Sequence, residues 1–182
     1  MSTRRANARE LISGLNEDLA YEYASVIQYR TYASTLRGPH RLTLRPMFAG
    51  EIPDELAHAG LLADAITAQG GRPTTQPASV PSARAPMEML EQALQAERAA
   101  IARYVERREQ AAAVGEHGLA VDLDTVIADE TRHRDEMQLL LEDWDEGTRA
   151  RESAPGRTRH ESARRRPATA DERSMAAKAP SP

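Results

Sequence analysis

Glu55-Leu56-Ala57-His58 and Glu130-Thr131-Arg132-His133 repeat one pattern, Glu-x-x-His, at an offset of 75 residues. The offset holds beyond the motif. Asp54 matches Asp129, Glu22 matches Glu97, and Tyr29 matches Tyr104. In each half a lone Glu stands 33 residues ahead of the motif's Glu. With 18 Glu and 5 His in the chain, chance supplies roughly half an instance of Glu-x-x-His. Two instances, each tied to an earlier Glu and flanked by a repeated Asp and Tyr, are not accidental.

Residues three apart on a helix share a face, so the Glu and His of one motif can hold a single ion. Set two such helices face to face and let two others each add one Glu. Six ligands then converge in the middle of a bundle: Glu22, Glu55, His58, Glu97, Glu130 and His133. Four carboxylates and two neutral imidazoles suit a pair of divalent first-row ions, iron or manganese before zinc. Burying so many carboxylates without metal would be costly.

The sequence around these residues provides the helices. Leu11, Leu15, Leu19, Tyr23, Val26 and Ile27 recur at helical steps, predicting a first helix over 8–37 that Gly38-Pro39 ends. A second spans 42–69 and stops at Gly70-Gly71 and Pro73. Pro46 and Pro53 lie inside it, so it is expected to bend, or to start properly only near Pro46. The stretch 71–86 has four prolines and no apolar period, and reads as an extended connection. Helices over 87–114 and 119–144 follow. Short, long and short connections make two antiparallel hairpins joined by a crossover, the all-α topology of a ferritin-like bundle.

Composition narrows the chemistry. There is no cysteine, which removes disulfides, thiolate sites and iron–sulfur clusters. No apolar run reaches membrane-spanning length, and a cytoplasmic protein is expected. Net charge is −9 through Glu146 and +5 beyond. We therefore divide the chain into a folded domain, 1–146, and a basic tail, 147–182, too poor in apolar residues to order itself.

Secondary roles follow from spacing. Ligating histidines usually donate their second nitrogen to a carboxylate, so Asp54 is expected to hold His133, and Asp129 to hold His58. Tyr29 and Tyr104 lie two turns past their glutamates, where a hydroxyl could bond a bridging carboxylate or lend an electron. The competing reading is a core aromatic with a satisfied hydroxyl, and it weighs more heavily on Tyr104. Glu51 could guide iron inward, but reads better as a solvated acid. His40, His117 and His160 fall in loops or the tail. Met47, Met87, Met89 and Met137 read as core filling.

On the Leu15-Asn16 through Glu22 and Gln28-Tyr29 stretch, Glu97 and both Glu-x-x-His motifs, residues 8–146 resemble the bacterioferritin and ferritin-like di-iron family. The resemblance implies two iron ions, with Glu22 and His58 capping one and Glu97 and His133 the other. Glu55 and Glu130 would bridge them. It also implies ferroxidase activity on Fe(II) with O2 or H2O2, with Glu55, Glu130 and Tyr29 as the catalytic set, and a homo-oligomer. Leu56 stands where bacterioferritins place their haem-binding methionine, so no haem is expected. Nothing after Gly147 has the period of a cage-closing fifth helix, which leaves mineral storage open. Two other readings stand beside this one. The first is a rubrerythrin-like peroxidase or oxidase on the same centre. The second is a non-catalytic bundle whose tail, with Arg164-Arg165-Arg166, binds DNA or a shell protein; a merely solvated tail is the simpler reading.

Overall fold

The computed structural model describes residues 2–153, with side chains for 7–144. The described residues form α1 (Ser2–Thr35), α2 (Arg41–Ala68), α3 (Pro86–Val114) and α4 (His117–Ser153), with no strand among them. Residues 1–147 make one compact unit and 148–182 another, of which only the end of α4 is described. The arginine cluster at 164–166, and the binding roles considered for it, lie outside the described residues.

The helices differ from expectation at their ends. α1 starts six residues earlier, at Ser2, because Arg4, Arg5 and Ala6 favour helix and nothing halts backward extension. α2 starts at Arg41 and runs through both prolines, so Pro46 is not its beginning. Each proline ring leaves the carbonyl four residues back, at Leu42 and at Ala49, without its helical donor. α4 begins at His117 and continues past Gly147 to Ser153.

Two stops use the same chemistry. At the end of α2, Gly70 has φ +76, and the Gly70 and Gly71 amides bond back to Thr67 and Ile66, each at 2.9 Å. At the end of α3, Gly115 has φ +90, and the Gly115 and Glu116 amides bond to Ala112 and Ala111. Both are left-handed caps that satisfy the last carbonyls, and glycine enters that region without penalty.

The crossover climbs alongside α1. The Thr74 amide donates to Asn16 Oδ1 at 2.7 Å and the Ala78 amide to the Ala20 carbonyl at 2.7 Å. This ascent returns the chain to the end where α1 finished, so α3 descends antiparallel to α1.

The core is apolar at both ends and polar in the middle. One apolar cluster contains Leu11, Leu15, Leu19, Leu62, Ile66 and Leu123. The other contains Tyr29, Tyr32, Phe48, Leu90 and Met137. Met47, Met89 and Met137 are buried, as core filling requires. The hydrophobic effect drives the burial of both ends. The layer between them is where the repeated residues meet.

Candidate metal centre

All six candidate ligands read from the sequence are buried in one layer of the bundle. Their donor atoms form two overlapping groups: Glu22, Glu55, His58 and Glu130, and Glu55, Glu97, Glu130 and His133. Within each group one atom per residue lies within 4.8 Å of the others. Glu55 and Glu130 belong to both, Glu22 and His58 to the first alone, and Glu97 and His133 to the second alone. Each helix contributes through its own period: α1 and α3 one glutamate each, α2 and α4 a Glu-x-x-His.

The donors face one another without satisfying one another. His58 Nδ1 lies 3.1 Å from Glu130 Oε1 and 3.7 Å from Glu22 Oε2, and His133 Nδ1 lies 3.6 Å from Glu130 Oε2. Yet Glu22 Oε2, His58 Nδ1, both oxygens of Glu130 and His133 Nδ1 are buried without a hydrogen bond. Native proteins rarely leave buried polar atoms unpaired. Five such atoms converging on one space, all of metal-ligating type, fit a pair of cations.

The imidazoles and carboxylates of the layer shift one another's protonation. Burial alone would lower the His58 imidazole, but the carboxylates of Glu130 and Glu22 raise it to about 10. Burial opposes His133 likewise, and Glu130 and Glu51 raise it to about 11. Burial pushes the Glu55 and Glu97 carboxyls well up, helped by neighbouring carboxylates. Burial also acts to raise Glu130, but the facing Glu97 carboxyl and the His133 and His58 imidazoles outweigh it and hold this carboxyl far below the usual range.

The tyrosines do not take the partners expected from spacing. Tyr29 donates its hydroxyl to Glu97 Oε1, and Tyr104 to Glu22 Oε1 at 2.5 Å. Each therefore bonds the outer glutamate of the opposite half, not a bridging carboxylate. Antiparallel packing of α1 on α3 brings residue 29 level with 97 and residue 104 level with 22. Tyr104, the weaker candidate by sequence, is as well placed as Tyr29.

The outer nitrogens of the histidines reach the aspartates of the other motif. His133 Nε2 is 3.3 Å from Asp54 Oδ2, and His58 Nε2 is 3.7 Å from Asp129 Oδ2. Sequence reasoning understated Glu51. It is 7% exposed, not a solvated acid, and its Oε2 lies 2.8 Å from His133 Nε2. The available signal was its position one turn before Glu55, on the same face.

A buried ion pair escaped the sequence reading altogether. Asp18, one turn before Glu22, receives Arg107 Nε at 2.7 Å, with Arg103 Nε at 3.3 Å. Arg107 is 4% exposed and packs where α1 carries Gly14, since any Cβ there would overlap the guanidinium. A glycine facing a long basic residue was the one hint. Leu56 is half exposed.

A four-helix bundle whose middle holds two carboxylate–histidine half-sites sharing two glutamates defines the class of dinuclear carboxylate proteins. The chain belongs to the ferritin family: the profile of the ferritin-like domain matches residues 12–146. A ferritin-like diiron-carboxylate protein from Bacillus anthracis is 48% identical, covering 74% of this chain and 97% of that one, with a TM-score of 0.73. The dodecameric thioferritin of Bacteroides fragilis is 27% identical over 82% of this chain and 92% of its own, with a TM-score of 0.70. The Desulfovibrio desulfuricans bacterioferritin, at 24% identity and a TM-score of 0.67 over 76% and 82% of the two chains, shares the fold. No curated protein matches the chain at a significant level. Among the described residues no helix is long and apolar enough to cross a membrane.

Proposed function

We propose that this protein is a ferroxidase: it binds two ferrous ions in the Glu/His layer and oxidises them with O2 or H2O2. The observation that carries the reading is the convergence between four helices of two overlapping groups of buried carboxylate and imidazole atoms, five of which have no hydrogen bond. Glu22 and His58 hold one ferrous ion, Glu97 and His133 the other, and Glu55 and Glu130 span both. The reaction balances on its substrates. Each Fe(II) gives up one electron, and the pair of electrons with two protons converts O2 to H2O2, or H2O2 to two waters.

The residues prepare this chemistry by position. Tyr29 and Tyr104 orient the two outer glutamates through their hydroxyls. Asp54, Glu51 and Asp129 face the outer histidine nitrogens and thereby direct Nδ1 inward. The apolar clusters on either side exclude bulk water, which strengthens every charge interaction in the layer. Manganese would fit the same donors, and iron is preferred on the family's chemistry.

The test is an anaerobic Fe(II) titration of the metal-free full-length chain, followed by O2 or H2O2 with absorbance recorded. Saturation at two ions per chain with rapid oxidation is expected. No binding, or one inert ion per chain, would defeat the assignment and leave a non-catalytic bundle. Comparing initial rates separates a ferroxidase using O2 from a peroxidase using H2O2. Size-exclusion after iron loading shows whether a homo-oligomer retains the ferric product.

Loading should also release protons. At pH 7 both imidazoles are protonated, with values of about 10 and 11, and an ion must displace those protons. We expect release of at least about two protons per chain, measured with an indicator dye in weak buffer. Affinity should rise with pH. Conversely, both folded-state imidazole values lie above the unfolded value of 6.5. Their contribution to metal-free stability is therefore full below pH 6.5 and is lost as pH rises through 10 to 11. Binding without proton release would remove His58 and His133 from the ligand set.

A further inference from the structure

The two half-sites are related by the 75-residue offset, but their outer surfaces are not. Glu51 corresponds to Val126, and Arg132 to Ala57. Both departures fall in one place, on the outer side of His133. There a recess of about 510 Å³, lined by Glu51, Asp54, Glu136, Arg132 and Gly50, ends on His133. His133 itself is 2% exposed, and its Nε2 points at the inner acids of the recess, Glu51 and Asp54. On the His58 side, Asp129 stands 3.7 Å from Nε2, and positions 126 and 57 carry only apolar side chains.

Arg132 is the one arginine or lysine among the described residues that line this recess. Its Nη1 lies 2.6 Å from Asp129 Oδ1, one turn back on its own helix. Its Nη2 crosses to α2, 3.2 Å from Asp54 Oδ2 and 3.3 Å from His133 Nε2. One arm of the fork is thus anchored within α4, while the other rests on Asp54, the more exposed of the two carboxylates that face His133 Nε2. The side chain is 57% exposed. Ion pairs so exposed are weakly held and can be exchanged without unfolding anything. A divalent cation arriving at Asp54 and Glu51 presents twice the charge of the guanidinium arm it displaces.

We propose that Arg132 is the gate of a one-sided ferrous-ion entrance, its Nη2 occupying the position on Asp54 that an entering divalent cation must take. The guanidinium turns about its Asp129 anchor to admit the ion, and its charge holds off monovalent cations that cannot compete for Asp54. The inference rests on the dinuclear reading above, and it concerns the rate of entry, not the final complex.

The test is stopped-flow uptake of Co(II), followed by its visible absorption, in full-length metal-free protein. Arg132→Ala should bind about three- to fivefold faster than wild type, with unchanged stoichiometry and affinity. Arg134→Ala provides the control. It removes the same charge two residues along, from a side chain paired with Asp135 and outside the recess lining. It should leave the rate unchanged. Equal acceleration by both variants would reduce the effect to bulk electrostatics and overturn the gate. An unchanged rate for Arg132→Ala overturns it too, as does slower or weaker binding, which would make Arg132 only a positioning residue for Asp54 and Asp129. Absence of Co(II) binding by wild type would overturn the dinuclear site and the gate together. Normal wild-type binding without the Arg132 effect overturns the gate alone.

Discussion

Glu130→Ala should abolish iron oxidation, lowering its rate by more than about 100-fold, because loss of even an outer-shell partner in metal proteins costs 10- to 100-fold. Glu130 is shared by both half-sites and lies against both histidines, Oε1 at 3.1 Å from His58 and Oε2 at 3.6 Å from His133. Its removal takes one donor from each ion and a carboxylate held far below its usual range. The anaerobic titration should then saturate below two ions per chain. Glu97→Ala is the informative contrast, since Glu97 belongs to one group alone and its loss should leave the other ion bound. Helical circular dichroism separates lost chemistry from lost fold, and Glu130→Gln preserves the volume of the side chain. Oxidation at the wild-type rate in a folded Glu130 variant would refute the shared-ligand assignment.

The second large effect lies below the metal layer. Arg107→Ala should destabilise the metal-free protein by about 3–5 kcal/mol, the cost of stripping one partner from a buried ion pair. For a chain of this length that lowers the thermal midpoint by about 6–20 °C. Asp18 is fully buried and accepts Arg107 Nε at 2.7 Å. Burial raises the Asp18 carboxyl, and the bond with Arg107 is the leading influence opposing that rise. Without the Arg107 guanidinium, Asp18 keeps only Arg103, at 3.3 Å, and takes up a proton more readily. The sign with pH follows. The deficit should be largest near pH 7, where a proton is scarce, and shrink toward pH 4.5, where Asp18 protonates cheaply. Gly14→Ala should shift stability in the same direction, because a methyl group there meets the Arg107 side chain. Equal midpoints for wild type and Arg107→Ala at pH 7 would show that the pair contributes nothing.

Both predictions concern residues in the bundle's interior, yet the sequence treats them very differently. Glu130 announces itself through a repeated motif whose chemistry needs a particular spacing on a helix. Asp18 and Arg107 belong to no repeat: at the 75-residue offset they face Ala93 and Tyr32. Their pairing exists only because α1 and α3 run antiparallel, which brings residue 18 level with residue 107. The same register hands Tyr29 to Glu97 and Tyr104 to Glu22, where spacing along one helix pointed to a bridging carboxylate.

What the sequence determined by itself was therefore local and periodic. It specified the helices, the glycine stops, the long crossover and the six candidate ligands, because each depends on intervals within a helix or on residues that punctuate one. Tertiary structure alone decided which groups meet from helices distant in the chain. Those are the burial of Glu51 against His133, the ion pair of Asp18 with Arg107, and the reach of Arg132 across to Asp54. A helical period says which face a residue occupies. How far one helix slides along its neighbour is set by packing of the two apolar clusters, and that slide chooses the partner.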